Sequence, residues 1–478
     1  MGKKKILITG ATGYIGSRLL KKLENSEYSI CCLARKPEYL TSRVSKNIKV
    51  IKGDVLDKKS LEKALEDVDT AFYLVHSMGN TDSFEELDRL GAENFGMAAE
   101  KMGVKRIIYL GGLGDSSKKL SNHLASRHET GEVLRNSSVQ VIEFRSSVVI
   151  GAGSLSFEII RALVEKLPIM TTPKWVYIKT QPILINDLLE YLKDSVELEV
   201  KENKIFEIGS DDVTTYGDLM QIYANHRGLK RYIIPVPVLT PWLSSLWLGL
   251  VTPVYARIGR KIINSLKYQT IITDHSAKRY FKIKTKSVSD AIKIALEEEE
   301  KEFHENDWLQ SMSSTNTLKS WGGKKFGSRI VDTHSIATDI RAEKLFEPIK
   351  NIGGKNGWYC YNWIWKLRGY IDVAFGGVGI RRGRTNYNEI RIGDIIDWWR
   401  VEDYKENEYL KLFAEMKLPG RAWLEFRIEK LENKNVLQQT AIFDPIGLSG
   451  IFYWYLLYPL HELIFSGMIK NIVARAKE

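Results

Sequence analysis

The sequence predicts an α/β chain, a doubly wound parallel sheet, followed by an α+β domain whose antiparallel sheet wraps a long C-terminal helix. Three observations carry that expectation. From Lys3 to about Val149, short apolar runs alternate with helical patterns, the signature of a parallel sheet covered by helices. Past residue 325 the period changes to two, which marks antiparallel hairpins with one buried face. A final apolar segment, Leu448–Val473, is long enough to cover such a sheet.

The strand candidates of the first part are Ile6–Thr9, Ser29–Ala34, Ile48–Lys52, Thr70–Val75, Arg106–Leu110 and Gln140–Phe144. Helical segments lie between them at Ser17–Leu23, Ser60–Leu65, Phe84–Met102 and Asn122–Leu134. Ile183–Leu192 and Lys204–Tyr223 continue the pattern with longer excursions, where open α/β sheets carry substrate contacts. Pro235–Ile258 is an apolar run broken by Pro237, Pro241 and Pro253, which favours a packed cap or surface contact over a membrane span. The acidic run Glu297–Glu300 opens a polar stretch, so residues 1–300 are expected to form one domain, 301–325 a linker and 326–478 a second domain.

In the second part Leu410, Leu412, Ala414, Met416 and Leu418 alternate with charged residues, as do Leu424, Phe426 and Ile428. Pro419-Gly420 and Asn433-Lys434-Asn435 are the turn candidates. Leu448–Val473 carries Pro459, His461 and Glu462 near its middle. A central acid costs a membrane span about 2.5–3.5 kcal/mol, so this helix is expected to close a core.

A length of 478 residues favours more than one core, and 44% hydrophobic with 27% charged residues excludes a disordered chain. The net charge of +11 is spread along the sequence, so no nucleic-acid partner is expected. Arg381, Arg382 and Arg384 form one tight cluster suited to a phosphate or an anionic membrane surface. Cys31, Cys32 and Cys360 have no metal-ligand spacing, so no metal is expected, and the low cysteine count suits a reducing cytoplasm. The apolar stretch after Met1–Lys5 is too short for a signal peptide. The expected location is cytoplasmic, with peripheral membrane attachment as the minority alternative, and the oligomeric state stays open.

Thr9-Gly10-Ala11-Thr12-Gly13-Tyr14-Ile15-Gly16 falls between a strand and a helix candidate. Glycines there permit a tight turn and let the backbone approach a pyrophosphate at the helix N-terminus. At the end of the second strand stand Arg35 and Lys36, with no carboxylate before Glu38. Cations at that place suit the 2′-phosphate of NADP; NAD is the alternative, with Arg35 then one more surface cation. Asp54 and Val55, after the third strand, are placed to meet the adenine, unless Asp54 simply caps the next helix. Val75 and His76 end the fourth strand, where cofactor and substrate meet in open α/β sheets.

The glycine motif, Gly53-Asp54-Val55 and the stretch Ile208-Gly209 to Thr214 and Tyr216 resemble the extended and atypical short-chain dehydrogenase/reductases, a Rossmann family. Tyr73–Met78 and His123–Glu132 narrow the resemblance to a complex-I-accessory-subunit-like, epimerase-like branch, over roughly residues 3–300. The resemblance implies a Tyr-x-x-x-Lys pair and a Ser, yet no tyrosine occurs between Tyr109 and Tyr177. The pair falls on His123 and Arg127, and the Ser position falls in Tyr109-Leu110-Gly111-Gly112. His123 then stands in for the phenol as acid, and Arg127 for the ribose-holding lysine, although a guanidinium stays protonated.

Trp398–Glu402, Glu415–Leu424 and Tyr453-Trp454 resemble uncharacterised domains fused behind such Rossmann domains, which are similar to helix-grip folds of the START and polyketide-cyclase type. Trp358, Tyr361, Trp363, Trp365, Trp398, Trp399, Trp423 and Trp454 fit either a plain core or an apolar ligand cavity. The expectation is an NADP-dependent oxidoreductase acting on an apolar, lipid-like or quinone-like small molecule. Its rivals are a non-catalytic NADP-binding redox sensor or assembly factor, and a lipid-binding module that uses the Rossmann half as scaffold.

Overall fold

Ile6, Leu7 and Ile8 are all buried, which a strand permits only where both faces of its sheet are covered. That strand, β1 (Lys5–Thr9), lies inside a parallel sheet with β2 (Ser29–Ala34), β3 (Lys49–Lys52), β4 (Thr70–Tyr73), β5 (Arg106–Gly112), β6 (Gln140–Ser146) and β7 (Lys204–Ile208). The order is β3-β2-β1-β4-β5-β6-β7, so the winding reverses between β1 and β4. The computed structural model describes residues 3–41, 44–45, 47–76, 84–115, 120–235, 265, 267–311, 324–326, 329–374, 376–377, 379, 390–431 and 434–478. Ser77, Met78, the run from 236 to 258, residues 312–323, the arginines 381, 382 and 384, and Asn433 lie outside the described residues.

Two units divide the chain, Met1–Glu298 and Glu299–Glu478. In the first, the principal helices are α1 (Tyr14–Leu23), α2 (Lys58–Leu65), α3 (Phe84–Lys101), α4 (Asn122–Arg135), α5 (Leu155–Lys166), α6 (Ile185–Asp194) and α7 (Tyr216–His226). α8 (Val288–Ser311) contains the boundary, so residues 301–311, expected to begin a linker, are helical. β4 ends at Tyr73, two residues short of the expected Val75. Cys31 and Cys32 are buried on opposite faces of β2, and burial pushes their thiols up to about 11 and about 12, which leaves them protonated and inert.

The second unit holds an antiparallel sheet of β8 (Lys324–Phe326), β9 (Arg329–Thr338), β10 (Ile395–Ile396), β11 (Trp399–Lys405), β12 (Tyr409–Ala414), β13 (Gly420–Leu431) and β14 (Lys434–Pro445). Its order is β8-β9-β14-β13-β12-β11-β10. Helices α9 (Ala342–Lys350), α10 (Asn362–Ala374) and α11 (Gly447–Arg475) complete it, with α11 packed on β14 and β9. Among the described residues no helix is long and apolar enough to cross a membrane.

Register defines the sheet's inner face. Leu410, Phe426, Gln439 and His334 lie in one cross-strand row, and Leu412, Leu424, Ala441 and Asp332 in the next. The apolar members of both rows are buried. The expected strand through Leu418 stops at Ala414, and β9 was hidden from periodicity. In β9 the inner positions are Ile330, Asp332, His334 and Ile336, so polar residues interrupt the apolar alternation that would mark a strand.

Of the eight aromatics singled out, Trp358, Trp365, Trp398, Trp399, Trp423 and Trp454 are buried, while Tyr361 and Trp363 are exposed. Trp358 stacks on Trp365 at 5.1 Å between ring centres, and Trp399 and Trp398 flank that pair at 5.9 Å each. Such contacts add to area burial by about 0.5–1.5 kcal/mol per pair.

Asp397 anchors this cluster. Its Oδ2 accepts from the Trp358 indole N–H at 2.8 Å, and its backbone is left-handed at φ 56°. Burial holds its carboxyl above the usual carboxylate range. A carboxyl raised in the fold favours the folded state below its unfolded pKa, and that contribution is lost as pH rises through the raised value. Asn accepts the same indole bond and tolerates left-handed backbone. Asp397→Asn is therefore expected to raise the urea midpoint at neutral pH, by tryptophan fluorescence, with the gain vanishing near about pH 4.

Candidate functional site

The turn from β1 into α1 is built by steric exclusion. Gly10 has φ +69°, and a Cβ on it would lie 2.4 Å from the Leu74 carbonyl oxygen. A Cβ on Gly16 would lie 2.2 Å from the Gly10 carbonyl oxygen. Glycine at both places lets α1 settle on the ends of β1 and β4. Gly13 starts α1 in extended geometry, its N–H donating to the Gly10 carbonyl at 2.8 Å. No side chain caps the first amides of α1 and its first turn holds no acid, the arrangement that receives a phosphate. A cleft of about 520 Å³ opens there, at the point where the strand order reverses.

Thr9, Gly10, Thr12, Gly13, Arg35, Asp54, Val55, Val75 and His76, all expected from sequence, line this cleft. Thr9 serves the scaffold as well: its hydroxyl donates to the Phe72 carbonyl at 2.8 Å and accepts from Leu74 N–H at 3.2 Å, tying β1 to β4. Tyr14, Ile15, Gly16, Lys36, His123 and Arg127 do not line it. Tyr14 turns toward Gly151, where a Cβ would meet its hydroxyl at 2.3 Å, and Arg18 covers its ring at 4.3 Å.

Arg35 is exposed at the end of β2 and Asp54 follows β3. Asp54 does not cap α2; Asp57 does, accepting from Lys59 N–H at 3.1 Å. The Asp54 carboxylate instead turns its own loop, accepting from Leu56 N–H at 3.0 Å. It lines the cleft.

At the other end, His76 Nδ1 lies 2.6 Å from Oδ2 of Asp88, which is 5% exposed on α3. The His123 ring, on the first turn of α4, lies 5.2 Å from the His76 ring. Its Nδ1 is 3.3 Å from the Ser265 hydroxyl, which in turn is 2.9 Å from that of Ser121, the N-cap of α4. The fold thus brings both sequence-chosen histidines together. Asp88 and Ser265 were not foreseen, because their sequence neighbourhood carries no motif.

Arg127 donates to the Leu110 carbonyl and covers the Tyr109 ring at 5.0 Å. Tyr109 donates to the Arg127 carbonyl at 2.9 Å, and burial pushes its phenol up to about 12, too high for proton exchange near neutrality. His128, also unforeseen, meets the Gly112 carbonyl at 2.9 Å; burial first, then Arg145, holds it below the usual imidazole range.

Residues 10–147 match the family described as NAD(P)H-binding, and residues 326–468 match DUF2867, a family of unknown function. Residues 10–147 thus form an NAD(P)H-binding domain on a Rossmann-like sheet, and residues 326–468 a DUF2867 domain. Sanguinarine reductase of Eschscholzia californica is 23% identical over 253 residues, 44% of this chain and 89% of its own length. The Citrobacter sp. triphenylmethane reductase complexed with NADP(H) shares 20% identity over 61% of this chain and 99% of its own, with a TM-score of 0.51. An NADPH-dependent quinone oxidoreductase of Escherichia coli complexed with NADPH shares 18% over 61% and 99%, with a TM-score of 0.50. The solved structures show the fold of the first unit. Of two further curated relatives, from Saccharomyces cerevisiae and Staphylococcus aureus, the chain spans less than half the length, 47% and 37%.

Gly10→Ala tests the cradle. Its methyl group meets the Leu74 backbone on a left-handed residue, so the turn must shift. NADPH affinity is expected to fall at least about tenfold by calorimetric titration, with a stability loss of about 1–3 kcal/mol in thermal melts.

Proposed function

We propose that this chain is an NADP(H)-dependent reductase of an apolar, lipid-like or quinone-like carbonyl compound. The cleft carries the proposal, with Arg35 at one end and the His76–Asp88 pair beside His123 at the other. The cofactor, when bound, supplies hydride. The α1 amides receive its pyrophosphate, and Arg35 meets the 2′-phosphate with charge-assisted hydrogen bonds. His123, at the position the family gives to tyrosine, delivers a proton to the substrate oxygen. Asp88 fixes the His76 ring beside His123.

The names of the relatives, sanguinarine reductase, triphenylmethane reductase and quinone oxidoreductase, support the reductase reading and make quinones the first acceptors to try. In the second unit, Leu448, Phe452, Leu456 and Leu463 on α11 and Trp363, Leu367 and Tyr370 on α10 are exposed. These apolar faces support a START-like domain that meets a lipid surface or an apolar ligand. One observation favours the second reading, a non-catalytic NADP-binding sensor: the Arg127 guanidinium is already engaged on Leu110 and Tyr109.

Steady-state NADPH oxidation with a panel of quinones and aldehydes separates the two readings. NADPH binding without oxidation of any acceptor selects the sensor. Arg35→Asp is expected to lower NADPH affinity by about 10- to 100-fold, from the loss of a charged hydrogen bond, while NADH affinity holds. Equal affinity of the unaltered chain for both cofactors refutes the assignment. His123→Phe is expected to lower kcat by about 10²–10⁴-fold, the range of general acid catalysis, with NADPH affinity nearly intact. Retention of full activity moves the proton donor elsewhere.

A further inference from the structure

Across the two rows of Leu410 and Leu412, which join β12, β13, β14 and β9, the inner face of the second unit's sheet is apolar except at one place. Asp332 and His334, two residues apart on β9, project to the same side and are 6% and 5% exposed. Gln439, directly across from His334 on β14, is 1% exposed. Their row neighbours Leu410, Leu412, Leu424 and Phe426 are fully buried hydrophobics. Polar residues at core positions cost desolvation and persist where they do something else. From the covering helix α11, Glu462 reaches the same place: His334 Nε2 lies 3.2 Å from Asp332 Oδ2 and 3.6 Å from Glu462 Oε2.

We propose that Asp332, His334 and Glu462 form a divalent transition-metal site of the zinc type, with a fourth position open to water or a small oxygen ligand. One ligand atom from each lies within 4.8 Å of the others. Ligands held tetrahedrally at about 2.0–2.2 Å from zinc stand roughly 3.3–3.6 Å apart, and the two measured separations are close to that range. One imidazole with two carboxylates is a donor set for zinc, iron or manganese, and the two carboxylate charges balance the cation. A second observation points to a ligand. Both amide atoms of buried Gln439 lack a hydrogen-bond partner among the described residues, as does Nδ1 of His461 beside Glu462. An unsatisfied buried amide is costly; a metal-bound water beside His334 gives Gln439 its partner. This site belongs to the second unit alone and goes beyond the reductase reading.

The test uses the untagged full chain, stripped with a chelator and titrated with ZnCl2 by calorimetry. One equivalent is expected to bind, and CoCl2 is expected to give the intense visible absorption of a tetrahedral site. His334→Gln and Glu462→Gln are each expected to weaken zinc binding at least tenfold and to remove the cobalt spectrum. Glu462 has a side chain 37% exposed, so its variant keeps the fold, checked by circular dichroism, if His334→Gln does not. Gln439→Leu is expected to weaken binding several-fold with the stoichiometry retained. Absence of zinc binding by the unaltered chain overturns the proposal. So does binding of equal affinity in the folded Glu462→Gln variant, which leaves a buried hydrogen-bonded cluster only.

Discussion

Three backbones meet at the first turn of the chain with no room for a side chain between them. The Gly10 peptide rests on the end of β4 at Leu74, and α1 rests on Gly10 through Gly16, each at a separation that a single Cβ would violate. Thr9 locks the same junction from below by bonding both Phe72 and Leu74. The position of α1, the uncapped amides at its start and the cleft at the strand-order reversal all follow from that contact. The site's phosphate end is therefore made of backbone, and its chemistry is insensitive to most side chains around it.

The opposite end is made of side chains, and a buried ion cluster seats the helix that carries them. Glu143 on β6 is fully buried and is bonded by Arg135 and by Arg145, the latter at 2.6 Å. α4 passes over it at Gly131, where a Cβ would lie 2.3 Å from the carboxylate. Removing one member of such a cluster leaves an uncompensated charge and typically costs about 3–5 kcal/mol. With α4 so placed, Ser121 at its N-cap and His123 in its first turn come to face His76 and Ser265. Arg127, one turn further on, is taken up by the end of β5. The same helix thus sets His123 beside His76 and spends Arg127 on the sheet.

The second unit divides its interior between two chemistries. Around Trp358, Trp365, Trp398 and Trp399 it is stacked aromatic rings, a choice that gains stability through area and ring geometry. Under α11 the same inner face turns polar at Asp332, His334 and Gln439. The outer face carries Trp423 among Arg329, Arg421 and Lys411, each within 6.0 Å of the ring. Asp444 pairs with Arg421 and Glu402 with Lys411 on that side.

The sequence by itself determined what depends on local spacing. Six of the seven strands of the parallel sheet, the glycine turn, Arg35 at the end of β2 and the long final helix are all legible, because period, turn chemistry and strand–turn–helix order are properties of neighbouring residues. β9 was not legible, since its inner face carries Asp332 and His334 where alternation requires hydrophobics. Asp88, Ser265 and His128 were not legible either, since each gains its meaning from a partner outside its own element. Only tertiary structure decided that Arg127 would bond the end of β5 and that Glu462 would arrive beside His334. The physical reason is the same throughout: backbone geometry is encoded within a few residues, whereas side-chain pairing is set by the packing of elements that the sequence separates.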